Sequence, residues 1–188
     1  MKKSIFTVLL GVSLIALISG CSQQKEEVAA SDINVGIILG FTGPIESLTP
    51  TMASSAEMAF KEATDAGVLN GSTLNPVRAD STCIDAAAAT SAAERLVTAD
   101  NVAAIMGADC SGVTTAIANN VAVPNGVTII SPSATSPALT TIEDKGFFFR
   151  TAPSDARQGQ VLAQVVMDRG IKKLAVTYTN NDYGKGLS

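Results

Sequence analysis

The sequence predicts an α/β protein in which a parallel β-sheet carries helices on both of its faces. Short, near-continuous apolar runs alternate with longer stretches whose apolar residues recur at helical spacing. The apolar runs lack the polar alternation of a half-exposed strand, which is typical of strands that are buried on both faces. Repetition of strand and helix in this order predicts parallel strands that are joined by right-handed crossovers.

The first repeat opens with an apolar strand over residues 33–39. A helix is predicted over 54–66 and ends at Gly67, a residue that commonly closes helices because it adopts the left-handed conformation without strain. A second strand is predicted over 74–79, which completes one strand–helix–strand unit.

Two more repeats extend this pattern. They consist of a helix over 85–99, a strand over 103–106, a helix over 113–121 and a strand over 127–130. Phe147-Phe148-Phe149-Arg150 then predicts a short aromatic strand that leaves this lobe. We therefore expect residues 33–150 to form one complete lobe.

A new unit begins after Pro153. A helix is predicted over 155–169 and a strand over 173–178, and residues 180–184 form one more strand-to-helix loop. A single strand without a partner is not a domain. We expect residues 151–188 to be the start of a second, truncated lobe.

The N-terminus predicts export. Residues 1–20 combine Lys2 and Lys3 with an apolar core that is shorter than the roughly 20 residues a bilayer-spanning helix requires. Leu17-Ile18-Ser19-Gly20-Cys21 resembles a bacterial lipoprotein signal, which predicts lipidation of Cys21, a polar tether over 21–32 and anchoring at the cell membrane or in the periplasm. The alternative is a plain secretory signal with an incidental cysteine.

Composition argues against several classes of protein. The net charge is −4 and basic residues do not cluster after residue 3, so we expect no nucleic-acid partner. The chain has no histidine, which excludes histidine bases, Ser-His-Asp triads and histidine metal sites. An enzyme would depend on carboxylates such as Asp80 and Asp109, which we interpret as loop caps near a crevice. We predict a protein that is not an enzyme and that needs no cofactor or metal.

If Cys21 is lipidated, Cys83 and Cys110 remain, and an exported chain meets an oxidising compartment. Pairing is then expected. A disulfide between them would close a loop, and the chain-entropy model gives a stabilisation of the folded state of roughly 3.6 kcal/mol for a loop of this length. The alternative is two buried free thiols.

Two loops at predicted strand ends are candidate binding loops. Ser111 stands where the N-cap of a helix is expected, and its hydroxyl could accompany free backbone N–H groups in binding an anion. In the run 128–137, Pro132 and Pro137 keep the backbone extended, so that its polar groups stay available to a ligand. In a parallel sheet both loops would face one crevice. An ordinary turn and an ordinary helix cap are the alternatives.

A set of short segments, in order and spacing together, carries a family resemblance. The segments are Thr42-Gly43-Pro44, Cys83, Cys110-Ser111, the run from Ile130 to Thr140, Phe149-Arg150-Thr151 and the run from Asp182 to Leu187. The chain resembles the first half of a periplasmic solute-binding protein of the branched-chain amino acid (Leu/Ile/Val-binding) type. This resemblance implies the periplasmic binding protein type I fold, with its first lobe complete and its second lobe truncated.

The resemblance also implies a function. Proteins of this type close two lobes around an amino acid, here expected to be aliphatic or branched-chain, and deliver it to the permease subunits of an ABC transporter. The family's ligand contacts map onto Ser111, Ser133, Ala134, Thr135 and Tyr183, with Ser133 acting through its backbone. The family's disulfide maps onto Cys83 and Cys110. Leu48 lies near a position where the family often has an aromatic residue. The alternative is a sensing domain for amino acids, amides or related solutes, because fold does not settle function.

Overall fold

The computed structural model describes residues 30–188, and its centre is a five-stranded sheet. The strands are β1 (Asp32–Leu39), β2 (Thr73–Asp80), β3 (Ala104–Gly107), β4 (Thr128–Ser131) and β5 (Phe148–Arg150). They lie in the order β2-β1-β3-β4-β5, and every neighbouring pair is parallel. The predicted α/β class and parallel sheet are confirmed. Cys21 and the predicted export signal lie outside the described residues.

The helices connect and extend these strands. They are α1 (Thr49–Asp65), α2 (Ala86–Thr98), α3 (Ser111–Ile117), α4 (Asp155–Asp168) and α5 (Asp182–Leu187), with a π-helical turn over Ala118–Ala122 and a 3-10 turn over Pro137–Thr140. Within residues 30–188 no helix combines the length and the apolar character needed to cross a membrane.

The two faces of the sheet bury different apolar clusters. On one face, Ile37 and Leu39 of β1 pack with Ala53 of α1. On the other face, Ile38 and Leu96 belong to a larger cluster that includes residues of α2, α3 and β4. The alternation along β1 places helices on both sides of the sheet, as the continuous apolar run predicts.

Beside α1, one part of the sheet is not covered by any of residues 30–188. Ile130 and Phe149 are 41% and 52% exposed there. A depression of about 470 Å³ next to them is lined by apolar side chains that include Met52 and Phe60.

Helix α1 begins five residues before its predicted start, at Thr49 instead of residue 54. Pro50 lies in its first turn, where the missing N–H of a proline costs nothing because that N–H has no intrahelical partner. The Thr49 hydroxyl donates to the Gly40 carbonyl at 3.0 Å, which attaches the start of the helix to the end of β1.

Two predictions about the later chain have different outcomes. The predicted aromatic strand is present as β5, but it does not lead away from the preceding strands, because it pairs with β4 in the same sheet, with Phe148 opposite Ile129. The other prediction is wrong. The predicted strand over 173–178 has no strand partner among the described residues, and Leu174 and Val176 are 64% and 60% exposed. Apolar character alone does not make a strand, because its backbone N–H and C=O groups need a neighbour.

Candidate functional site

The loops that follow β1, β2 and β3 are joined by one buried carboxylate. Asp109 is 4% exposed, and its oxygens accept from the Gly40 N–H at 2.7 Å, the Cys110 N–H at 2.9 Å and the Ser81 hydroxyl at 3.2 Å. A carboxylate is costly to bury unless it is hydrogen-bonded in this way. The prediction that Asp109 is a loop cap is confirmed.

A disulfide joins the loops after β2 and β3 a second time. Cys83 and Cys110 are bonded at 2.04 Å, with their Cα atoms 5.2 Å apart. The predicted pairing is therefore present. It holds Cys110, and with it the start of α3, against the loop that follows β2.

Asp80 caps the loop that follows β1. Its carboxylate accepts from the Thr42 hydroxyl at 2.6 Å and from the Thr82 N–H at 2.8 Å. Partial burial alone would raise the pKa of Asp80, but hydrogen bonds from Thr42, and from backbone N–H groups that include Thr82, outweigh it and hold the pKa below its ordinary value. Asp80 therefore stays ionised and joins the loop that follows β1 to the loop that follows β2.

Ser111 is not the N-cap that the sequence predicts. Cys110 takes that position in extended conformation without a side-chain capping bond, and Ser111 is the first residue of α3. The Ser111 side chain is 2% exposed, and its oxygen accepts from the Ser136 N–H at 3.1 Å. Because Ser111 lies inside the helix and not at its cap, its hydroxyl bonds to the second candidate loop and does not cap its own helix.

The loop over 131–137 is attached to the end of β3. The Ser131 hydroxyl donates to the Ala108 carbonyl and accepts from the Ala134 N–H at 3.0 Å. The Ser133 hydroxyl donates to the Asp109 carbonyl at 2.9 Å. These bonds bring together four of the five predicted ligand contacts, namely Ser111, Ser133, Ala134 and Thr135.

Arg150, at the end of β5, supports the same loop from the other side. Its guanidinium donates to the Ser136 carbonyl at 2.8 Å, to the Ala134 carbonyl at 3.3 Å and to the Thr140 hydroxyl at 2.6 Å. The planar guanidinium carries several donors, so it can bond two loop carbonyls and a hydroxyl at the same time. Sequence reasoning gave Arg150 no role, because its partners lie 10 to 16 residues earlier with no local pattern between them.

Thr135 connects the candidate site to α4. Its hydroxyl donates to the Asp155 carboxylate at 2.8 Å, and a cleft of about 330 Å³ opens beside this pair. Arg157 and Val161 of α4 also line the cleft. Asp155 is a further site residue that sequence reasoning missed.

Tyr183, the fifth predicted contact, lies on α5 and is 46% exposed. Helix α5 approaches both candidate loops. A Cβ added to Gly186 would stand 2.7 Å from Pro137 Cδ, and one added to Gly112 would stand 3.6 Å from an Asp182 carboxylate oxygen. The helix that carries Tyr183 therefore packs beside the site.

Comparison with known proteins agrees with this architecture. The family described as periplasmic binding protein matches residues 32–188. Leu/Ile/Val-binding protein homolog 1 of Brucella melitensis is 35% identical over 191 residues, which cover 100% of this chain and 48% of the relative. The chain spans about half the length of the curated relatives it matches.

Two solved structures are similar in sequence and fold. The branched-chain amino acid transporter substrate binding protein LivJ of Streptococcus pneumoniae, in complex with isoleucine, is 31% identical with a TM-score of 0.72, over 83% of this chain and 44% of that one. An ABC transporter substrate-binding protein of Desulfitobacterium hafniense, in complex with Leu, is 28% identical with a TM-score of 0.66, over 83% and 44%. With the sheet order and the family match, these likenesses show that the chain belongs to the periplasmic binding protein family and resembles its Leu/Ile/Val-binding members.

Proposed function

We propose that this chain is the first lobe (33–150) and the beginning of the second lobe (151–188) of an extracytoplasmic solute-binding protein. The protein captures an aliphatic amino acid between its lobes and delivers it to the permease subunits of an ABC transporter. The observation that carries this proposal is the junction of two strand-end loops, in which the Ser136 N–H donates to the Ser111 hydroxyl at 3.1 Å. Such loops at the carboxyl ends of parallel strands are the usual place for a ligand in open α/β sheets.

A zwitterion matches the groups at this junction. An amino acid needs donors for its carboxylate and acceptors for its ammonium group, and neither charge can be buried unpaired. We assign the carboxylate to Ser111, and the ammonium group to the Ser133 carbonyl and the Thr135 hydroxyl. Tyr183 supplies an aromatic wall. The two similar structures with isoleucine and leucine support the choice of an aliphatic ligand.

Calorimetric titration of the two-lobed protein with L-leucine tests the proposal. Ser111→Ala should weaken leucine binding by about 1.5–3 kcal/mol, the range for a hydrogen bond to a charged group. It should also lower the melting temperature of the free protein, because the buried Ser136 N–H loses its acceptor.

The matched control is Ser136→Ala, which keeps that N–H and removes only a neighbouring hydroxyl. Equal losses of affinity in the two variants would contradict the carboxylate assignment. If the protein bound an amide or an aromatic acid and no amino acid, it would still be a solute-binding protein. The assignment of a zwitterionic ligand would then be wrong.

A lipid anchor at Cys21 completes the proposal, because the small pair Ser19-Gly20 directly precedes this cysteine. Metabolic labelling with palmitate should mark the wild-type protein and not Cys21→Ser. Equal labelling of both proteins would refute lipidation at this residue.

A further inference from the structure

Asp155 is buried although it is the first residue of a helix. It is 3% exposed and makes two hydrogen bonds with one residue. Its Oδ2 accepts from the Thr135 hydroxyl at 2.8 Å, and its backbone N–H donates to the Thr135 carbonyl at 2.9 Å. The start of α4 is thereby fixed to the middle of the candidate binding loop, 20 residues earlier in the chain.

This pairing sets the direction in which the Thr135 hydroxyl can bond. An ionised carboxylate only accepts hydrogen bonds, so the single hydroxyl hydrogen of Thr135 is committed to Asp155. The remaining lone pairs of Thr135 Oγ1 can then only accept. A ligand group that meets this oxygen must be a donor, such as an ammonium group.

The Ser111 hydroxyl has the opposite polarity. Its oxygen accepts from the Ser136 N–H, which can only donate, so its hydrogen remains available for an acceptor such as a carboxylate. Two hydroxyls that look equivalent in the sequence are therefore given opposite roles by their protein partners.

We infer that Asp155 is a positioning residue that makes the Thr135 hydroxyl an obligate acceptor for the ammonium group of the ligand. The inference rests on the proposed function. Asp155 acts on the ligand only through Thr135. The charge of Asp155 also polarises the Thr135 hydroxyl, which strengthens the hydrogen bond that this hydroxyl accepts from the ligand.

A double-mutant cycle on the two-lobed protein tests this, with the dissociation constant of L-leucine as the readout. Asp155→Ala should weaken leucine binding about tenfold, because the hydroxyl is then free to turn its hydrogen toward the ammonium group. Thr135→Val should weaken it by at least as much. In the Thr135→Val background, Asp155→Ala should change the constant less than about twofold, because no hydroxyl remains to be oriented.

Two controls separate this role from a structural one. Thr135→Ser retains the hydroxyl, so in that background Asp155→Ala should again weaken leucine binding about tenfold. Asp168→Ala removes an exposed carboxylate from the other end of α4 and should leave leucine binding unchanged. If Asp155→Ala does not fold, Asp155→Leu takes its place in every arm, because it nearly keeps the side-chain shape and offers the Thr135 hydroxyl no acceptor.

Asp155→Ala could instead weaken leucine binding by the same factor with and without the Thr135 hydroxyl. That result would overturn the inference and leave the proposed function intact. A wild-type protein that bound no amino acid would overturn both.

Discussion

Gly107→Ala is expected to destabilise the protein by about 4 kcal/mol or more, a loss on the scale reserved for severe core disruption. Gly107 ends the central strand β3 with a φ of +132°, and an added Cβ would stand 2.0 Å from the Ile38 carbonyl oxygen. That oxygen belongs to the neighbouring strand β1, so it cannot withdraw without breaking the sheet. Urea unfolding of the lipid-free protein, followed by circular dichroism, measures the loss.

Gly159→Ala is the matched control for this substitution. Gly159 lies inside α4, and a Cβ there would meet no atom of the described residues within 4 Å. Alanine is the better helix former, so this variant should be more stable by about 0.5–1 kcal/mol. Similar stability for the two variants would show that the end of β3 is not under the steric restriction described above.

Asp109→Ala is expected to lower the free energy of unfolding by about 3 kcal/mol or more, because removal of the carboxylate leaves buried donors without an acceptor. Gly40, Ser81 and Cys110 would each lose a hydrogen bond, and the loop that precedes Ser111 would lose its attachment. Leucine binding should therefore fall together with stability. Thermal unfolding and calorimetric titration of the same preparation measure both effects.

The control for Asp109 is Asp65→Ala. Asp65 forms an exposed ion pair with Lys61 on α1, and such surface pairs contribute at most about 1 kcal/mol. A loss of stability for Asp109→Ala no larger than that for Asp65→Ala would contradict the role of Asp109 as the residue that joins the three loops.

Elements whose signals are local could be predicted from the sequence. The apolar run of β1 and the alanine-rich helix α2 were both predicted to within two residues of their ends. At α2, Asp85 accepts from the N–H groups of Ala87 and Ala88 and so marks the helix start within one turn. The predicted strand over 173–178 was wrong because pairing depends on a neighbour that no local pattern describes.

The candidate site divides in the same way. Ser111 and Thr135 could be named from strand-end loops and a family resemblance, but their hydrogen-bond directions could not. Those directions depend on Ser136 and Asp155, which lie 25 and 20 residues away in the chain. Only the folded sheet brings such residues into contact. The role of Asp155 therefore had no sequence signal, and Arg150 was marked only as part of a family segment, without a role.

The order of the strands also bears on how an exported chain acquires its shape. Between residues 32 and 150, every strand after β1 pairs with a strand that precedes it in the chain. If the polypeptide emerges on the far side of a membrane N-terminus first, each strand of the sheet finds its partner already present. No apolar strand then stays unpaired until a later part of the chain arrives. Cys83 and Cys110 both emerge before β4, so oxidation can fix the first three strands while the rest of the chain is still in transit.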